Sequence, residues 1–214
     1  ELGDVVERHK EYGRYVESID IIVFSKKGFT ENSISSNVHT YPTNSYFKIF
    51  IPWQALQLAK KLFLKKCYDL IISQEPFLTG WVGYHLKKKY NTKLLVHLHG
   101  DFFDNPYWIR ENWKNKFLIV LAEFIIHKAD ALRVMSFLQK EKLLHRAIPE
   151  DKVNIISTPV RLEKYQYPNT QKIEEYKRSG KFIVLHVGRR DDVKDYRTLF
   201  DAFVKVYEKI PIVL

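Results

Sequence analysis

Short apolar segments alternate with longer amphipathic segments through most of this chain, and this alternation limits the fold more than any other feature. The apolar segments have strand length, whereas the segments between them repeat apolar residues at helical spacing. The predicted strands are residues 19–24, 38–41, 69–73, 93–98, 131–135, 153–156 and 182–187. The predicted helices are residues 52–66, 79–89, 108–127, 137–146 and 194–209. Strands and helices that alternate in this way form βα units around a parallel sheet, so the predicted fold class is α/β.

One segment, residues 157–180, interrupts the alternation and marks a domain boundary. It carries two prolines, several charges and three tyrosines without sustained apolar periodicity. We therefore expect residues 1–156 to form a Rossmann-like domain that is incomplete at its start, and residues 157–180 to form a linker. Residues 181–214 are expected to form the opening βαβ unit of a second, truncated Rossmann-like domain, since residues 211–214 have the pattern of a new buried strand.

The charge and cysteine content limit the partners and the compartment. Lys and Arg number 35 against 25 Asp and Glu, which gives 214 residues a formal net charge of +10. This excess favours anionic partners such as nucleotide phosphates, nucleic acid or an anionic membrane. One cysteine, Cys67, excludes an intramolecular disulfide and a cysteine-cluster metal site, and favours a reducing compartment. The expected location is therefore the cytoplasm. The most apolar run, residues 117–126, contains Glu123 and is too short to span a bilayer.

A basic loop follows the last predicted strand, where Gly188 ends an apolar run and a helical pattern begins soon after. The cations of this loop are Arg189, Arg190 and Lys194. Ligands of open α/β sheets bind at the carboxyl ends of strands, and helix N-termini attract anions, so the loop predicts a phosphate or diphosphate site. The alternative is a solvated helix entrance, with Asp192 as the N-cap and Asp195 completing a capping box.

A second group of polar residues ends the apolar strand at residues 93–98. His99, Gly100 and Asp101 are expected to emerge at the carboxyl edge of the first sheet. His97 and His99 share one strand face, a spacing that can chelate zinc, but no third ligand has convincing spacing. His97 lies deeper and is expected to be a satisfied core histidine. The alternative for His99 is a turn histidine without chemistry.

Taken together, four segments in order resemble glycosyltransferase family 4, the group of retaining, nucleotide-sugar-dependent hexosyltransferases with the GT-B fold. The segments are residues 68–76 (YDLIISQEP), 97–101 (HLHGD), 121–136 (LAEFIIHKADALRVMS) and 187–194 (VGRRDDVK). The resemblance implies a GT-B type α/β architecture. It also implies a nucleotide-sugar donor, a saccharide or lipid-linked acceptor, and no cofactor or metal.

The resemblance assigns roles residue by residue. His99 falls at the family's active-site histidine beside the transferred sugar, and Arg189 and Lys194 fall at the positions that hold the donor diphosphate. The residues implied to lie near the substrate are Gly100, Asp101, Gly188 and Arg190. Fixed cations that meet the charge on the departing diphosphate lower the barrier to transfer, and a glycine lets the donor approach the backbone closely.

The chain also departs from the family pattern. Residues 158–161 read Thr-Pro-Val-Arg where the family usually has Asn-Gly-Val-Asp, so no role transfers there. The family's N-terminal glycine-rich loop and its pair of glutamates spaced by seven residues are not found. We therefore expect a fragment of the parent enzyme that is inactive by itself.

Other interpretations remain open at this level. A sugar-nucleotide enzyme of the same architecture, such as an epimerase, fits the diphosphate loop equally well. A basic nucleic-acid-binding protein fits the charge, but Lys and Arg are spread through every helix and no reader motif occurs, so nucleic acid is not an expected partner.

Two acceptor-side features also allow two interpretations each. The basic amphipathic helix predicted from residue 52 to residue 66 either contacts an anionic membrane at its inner face or covers the sheet in the ordinary way. An aromatic cluster follows the His-Gly-Asp turn and either stacks on sugars or covers the core. Its members are Phe102, Phe103, Tyr107, Trp108 and Trp113.

Overall fold

The structure is a computed structural model of the chain. It describes residues 5–159, 166, 171–178, 180, 182–188, 194–210 and 212–213. The chain divides into two compact units, Glu1–Thr158 and Pro159–Leu214.

The first unit contains a parallel sheet that positions the candidate site. Its strands are β4 (Leu70–Ser73), β5 (Lys93–Leu98), β6 (Ala131–Val134) and β7 (Val153–Ile155). They lie side by side in chain order, and each pairs in parallel with the next. The predicted α/β class and its parallel sheet are thus confirmed. Because helices cover both faces of such a sheet, the strands are almost wholly apolar, and Leu94, Val96 and Leu132 are fully buried.

A second, smaller sheet precedes it in the chain. Its strands are β1 (Ile19–Val23), β2 (Asn32–Ser35) and β3 (Val38–Pro42), in the order β1-β3-β2. β1 pairs with β3 in parallel, whereas β2 pairs with β3 in antiparallel fashion with an irregular register between Ser33 and Ser35. The sequence did not predict β2 because its residues, Asn-Ser-Ile-Ser, lack an apolar pattern. It is partly exposed at the sheet margin, where a strand needs no apolar core face.

Helices of the first unit pack between and around the strands. They are α1 (Val5–Gly13), α2 (Ile51–Phe63), α3 (Leu78–Tyr90), α4 (Pro106–Glu111), α5 (Asn115–Lys128) and α6 (Phe137–Leu144). Short 3-10 turns occupy Lys48–Phe50 and Glu150–Lys152. α2 buries Ala55, Leu56, Ala59 and Leu62, so its apolar stripe covers the core, as the second interpretation of this helix expected. No helix in the described part of the chain is long and apolar enough to cross a membrane.

The prediction of a single helix over residues 108–127 is wrong, because the chain forms two helices there, α4 and α5. Asn105 caps α4 by accepting a hydrogen bond from the Trp108 amide at 3.2 Å. Asn112 is extended, and its side chain accepts from the Lys114 amide at 3.0 Å. Asparagine side chains compete in this way for backbone groups that would otherwise continue a helix.

A cavity of about 540 Å³ separates β1 from β4. Residues of both strands and of α2 and α3 line it, so the two sheets are not continuous here. Three buried polar atoms of its lining residues have no hydrogen-bond partner: Asp20 Oδ1, Ser73 Oγ and His97 Nδ1. One ion pair with an added hydrogen bond crosses this region. Lys66 Nζ lies 2.8 Å from Asp20 Oδ2, and the Tyr68 hydroxyl donates to the same carboxylate oxygen.

The second unit contains α7 (Gln171–Arg178), β8 (Phe182–Ile183), α8 (Tyr196–Tyr207) and β9 (Ile212–Val213). β8 and β9 pair in parallel, so these elements include a βαβ unit. α7 lies within the segment that the sequence assigned to a linker, and β8 is shorter than its apolar run. The N-cap of α8 is Asp195, which accepts from the Thr198 amide at 3.2 Å. The alternative cap, Asp192, lies outside the described residues.

Candidate active site

The carboxyl edge of the parallel sheet brings His99 and Gln74 together. β4 and β5 run in parallel, with Ser73 beside Val96. Polar residues follow the last residue of each strand. His99 Nε2 and Gln74 Oε1 lie 3.1 Å apart. The sequence predicted the place of His99 but not its partner. The available signal was that Gln74 is the first polar residue with a long side chain after β4.

The protonation of His99 follows from its surroundings. Partial burial of the ring lowers its pKa, and the nearby cations Arg133 and Arg8 lower it further. The imidazole is therefore neutral near neutral pH. With Gln74 Oε1 as the acceptor, Nε2 carries the hydrogen and Nδ1 keeps a lone pair. This tautomer can accept a hydrogen bond from a hydroxyl group.

His97 lies one layer deeper on the same strand. It is 8% exposed, and its ring centroid is 5.5 Å from that of His99. Burial lowers the pKa of His97 to about 4, with smaller contributions from Arg133 and His99. The prediction of a satisfied core histidine is half wrong, since Nδ1 is buried without a partner. Within the described residues, no group of three or more His, Cys, Asp or Glu side chains is placed to hold a metal ion.

Arg133 is a site residue that the sequence reasoning missed. It lies on β6 in register with His97 of β5. Its guanidinium donates from Nε to the Ile156 carbonyl at 2.8 Å and from Nη2 to the Ser157 carbonyl at 3.1 Å. It thus places a fixed positive charge beside both histidines. The signal in the sequence was a cation that interrupts the otherwise apolar strand Ala-Leu-Arg-Val.

The turn after β5 is held from outside the strand. Lys142 of α6 binds both carboxylate oxygens of Asp101, at 2.7 and 2.8 Å, and also donates to the Phe103 carbonyl at 2.8 Å. At Gly100 a Cβ atom would lie 2.5 Å from the ring of Phe102, so only glycine fits against that ring. The turn therefore has a packing reason for its glycine and a fixed orientation for its carboxylate.

Part of the aromatic cluster after this turn covers the core, as one of its two interpretations expected. Phe103 is buried in the core at 3% exposure. Phe102 and Trp108 pack with Phe77 of the β4–α3 loop, with ring centroids 4.9 to 5.5 Å apart. Tyr107 is strongly exposed, at 84%. The cluster is therefore partly core and partly open to solvent near the candidate site.

In the second unit, Gly188 and Lys194 lie close together. A Cβ atom at Gly188 would sit 3.6 Å from Cδ and Cε of Lys194, an ordinary van der Waals distance, so the lysine stem runs directly beside the glycine. Tyr196 also contacts Gly188, because its hydroxyl donates to the Gly188 carbonyl at 3.0 Å, and its ring packs on His186. Sequence reasoning missed both aromatic residues. Arg189 and Arg190 lie outside the described residues.

The parallel sheet with helices on its faces and a polar carboxyl edge defines a Rossmann-like α/β domain. The family model Glycosyltransferase Family 4 matches residues 17–164, which include β1 to β7 and the His99 turn. The chain therefore belongs to Glycosyltransferase Family 4. No curated protein sequence matches it.

Solved structures show the same fold. HepE from Anabaena in complex with UDP and glucose is 15% identical, with a TM-score of 0.63 over 94% of this chain and 53% of HepE. Its complex with UDP-glucose gives 16% identity and a TM-score of 0.57 over 78% and 44% of the two chains. A sucrose-phosphate synthase structure from Thermosynechococcus elongatus is 18% identical, with a TM-score of 0.55 over 80% and 90%. The chain thus spans about half the length of HepE.

Proposed function

We propose that this chain is part of a nucleotide-sugar-dependent glycosyltransferase that moves a hexose-type sugar to a saccharide or lipid-linked acceptor with retention. The observation that carries the proposal is the contact between His99 Nε2 and Gln74 Oε1 at the carboxyl edge of the sheet, within the segment that matches the family. The complexes of HepE with UDP and with UDP-glucose suggest a uridine diphosphate sugar as the first donor to test. Family membership favours transfer over epimerisation and over nucleic-acid binding.

The roles proposed for the first unit follow from its contacts. His99 accepts a hydrogen bond from a sugar hydroxyl through Nδ1 while Gln74 holds its other nitrogen. Gly100 and Asp101 lie next to the substrate in the turn that Lys142 fixes. A preoriented acceptor group costs less reorganisation during transfer than a mobile one.

The second unit is proposed to open the nucleotide-sugar-binding domain. Lys194 and Arg189 hold the donor diphosphate, and Gly188 and Arg190 lie beside it. A mobile ammonium group suits a diphosphate whose charge grows as the sugar departs, and the Lys194 stem lies directly beside Gly188. This mechanism needs no metal or cofactor from the chain.

The proposed domain assignment is an acceptor-side domain over residues 1–156, a linker over residues 157–180 and the start of the donor domain over residues 181–214. The proposed location is the cytoplasm, with peripheral contact at the inner face of the membrane. The apolar stripe of α2 does not supply that contact, because its residues are buried in the core.

Donor binding and turnover test the proposal. In the full-length natural protein, we expect His99→Ala and Lys194→Ala each to lower kcat/KM for a uridine diphosphate sugar by at least about tenfold. His127→Ala is the matched control, because His127 is an exposed histidine at the end of α5, and its kinetics should equal those of the wild type. Wild-type kinetics in His99→Ala, or binding of no sugar nucleotide in a thermal-shift screen, would remove the proposal.

A further inference from the structure

A group of large apolar side chains lies exposed where the loops after β1 and β3 meet the start of α2. We call this group the aromatic patch. Its members are Phe29, Tyr46, Phe47, Ile49, Phe50 and Trp53, with exposed fractions from 53% at Phe50 to 81% at Ile49. Single exposed apolar residues are ordinary on a protein surface, but a contiguous group of this kind marks an interaction site.

Hydrogen bonds hold the patch in an ordered arrangement. The two loops are joined by the Lys27 amide, which donates to the Ser45 carbonyl at 3.1 Å, and by the Ser45 amide, which donates to the Ser25 carbonyl at 3.0 Å. The side chain of Asn44 bonds both the amide and the carbonyl of Phe29, at 3.0 and 2.8 Å. Ser45 is fully buried, and its hydroxyl donates to the Phe47 carbonyl at 2.7 Å. The patch therefore costs little conformational entropy when it binds a partner.

The patch is separate from the core-facing side of α2. Pro52 in the first turn of the helix is buried, and Ala55 and Leu56 face the core. Trp53 is 57% exposed, and Phe50, three residues earlier, packs edge to face with Phe47 at 6.2 Å. Phe50 and Trp53 lie about one helical turn apart, and both are exposed rather than part of the core.

Positive charge surrounds the patch. Lys26, Lys27 and Lys48 are exposed beside it, and Lys27 Nζ lies 4.5 Å from the centre of the Tyr46 ring. The sequence contains no acidic residue between Glu31 and Asp69. Lysine is depleted in protein–protein interfaces, whereas lysines next to Trp, Tyr and Phe are typical of surfaces that bind anionic lipid.

We propose that the aromatic patch and its three lysines bind the surface of an anionic lipid bilayer. The aromatic rings enter the headgroup region and the lysines neutralise lipid phosphates. The site of contact is thus the start of α2, not the lysine-rich face further along the helix. The benefit for a lipid-linked acceptor rests on the proposed function, but the binding itself does not, because it needs neither donor nor catalysis.

A second apolar surface on α5 provides the matched control. Phe117 and Val120 are each 68% exposed, as much as most members of the aromatic patch. Val120 shares its surface with the carboxylate of Glu123, so that surface lacks the three lysines found at the patch. Substitutions there remove a similar apolar area without touching the proposed lipid contact.

Cosedimentation with vesicles tests the proposal. The 214-residue chain is mixed with vesicles of phosphatidylcholine alone or of phosphatidylcholine with phosphatidylglycerol. We expect binding to the anionic vesicles, a loss of at least about tenfold in the Phe47→Ser, Phe50→Ser, Trp53→Ser variant, and no loss in the Phe117→Ser, Val120→Ser variant. The Lys26→Gln, Lys27→Gln, Lys48→Gln variant should lose its preference for the anionic vesicles and its sensitivity to salt.

Two further measurements keep the result decisive. Brominated lipids should quench tryptophan fluorescence of the wild type, and the single substitution Trp53→Phe, which leaves the fold intact, should abolish most of that quenching. Light scattering tests whether the patch instead joins two copies of the chain. Absence of anionic-vesicle binding, equal binding by the patch variant, or self-association that the patch variant abolishes would each overturn the proposal, whatever the outcome of the transfer assays.

Discussion

Replacing Asp20 by asparagine tests how much of the first unit's stability depends on one ionic tie. The Asp20 side chain is 3% exposed, and its Oδ2 receives both Lys66 Nζ at 2.8 Å and the Tyr68 hydroxyl. Lys66 Nζ also donates to Ser18 Oγ at 2.8 Å. This cluster joins β1 to the chain that enters β4, so it holds the two sheets together beside the cavity.

The expected cost follows from the burial of the two charges. Removing one partner of a fully buried ion pair costs about 3–5 kcal/mol, whereas a hydrogen bond to a charged group contributes about 1.5–3 kcal/mol. The Lys66 side chain is 36% exposed, so water can solvate it after the substitution. We therefore expect Asp20→Asn to lower the free energy of unfolding by about 2 kcal/mol.

The same tie predicts a pH dependence. Burial alone raises the pKa of Asp20, but the hydrogen bonds from Lys66 and Tyr68 outweigh it, and the net pKa is lowered. A carboxylate with a lowered folded pKa stabilises the protein above its unfolded pKa and loses this contribution as the pH falls through the folded pKa. The difference between wild type and Asp20→Asn should therefore be full near neutral pH and shrink at acid pH.

Urea denaturation followed by circular dichroism measures both effects. Asp69→Asn is the control, because Asp69 is an exposed carboxylate directly before β4. Its loss should change the free energy of unfolding by less than about 0.5 kcal/mol. A change below about 0.5 kcal/mol for Asp20→Asn, or a difference that stays constant down to acid pH, would refute the argument.

Three other predictions concern the rest of the first unit. Arg146→Ala should cost about 1–2 kcal/mol in thermal denaturation, because Arg146 binds both carboxylate oxygens of the exposed Asp104, at 2.7 and 2.9 Å; an unchanged melting temperature would contradict this. Gly83→Ala should destabilise by about 1 kcal/mol or more despite its better helix propensity, since the new Cβ would lie 2.7 Å from Cδ1 of the buried Leu94; a stabilised variant would be the contrary result. His97 should show no ring titration by NMR down to about pH 5, and because its folded pKa is lowered, stability should fall as the pH drops below about 6.5.

Residues buried on both faces of the sheet made the central strands predictable. Short apolar runs such as residues 93–98 and 131–135 are best buried as central strands, and the structure forms β5 and β6 there. The weaker elements depended on contacts that a sequence pattern does not carry. β2 forms because β3 offers it an edge, and α4 ends because the Asn112 side chain takes a backbone amide.

The candidate site likewise has one residue that a local pattern predicts and others that depend on tertiary contacts. The position of His99 follows from where an apolar strand ends, which a single segment reveals. Its partner Gln74 and the nearby Arg133 come from neighbouring strands, and their approach depends on the register of β4, β5 and β6. Register is a tertiary property, so no local pattern predicts a bond between residues so far apart in the sequence. The cap of α8 shows a finer limit, since a capping box pattern fits several neighbouring aspartates and the backbone selects Asp195.

The gap between β1 and β4 has a consequence for handling the chain in solution. Each of these strands is the margin of its sheet, and among the described residues neither has a strand partner on the side that faces the cavity. Unpaired backbone groups on such margins are templates for adding another strand, and here two templates face each other. An extended peptide that paired with either margin would gain backbone hydrogen bonds, so aggregation of concentrated samples should begin at these strands.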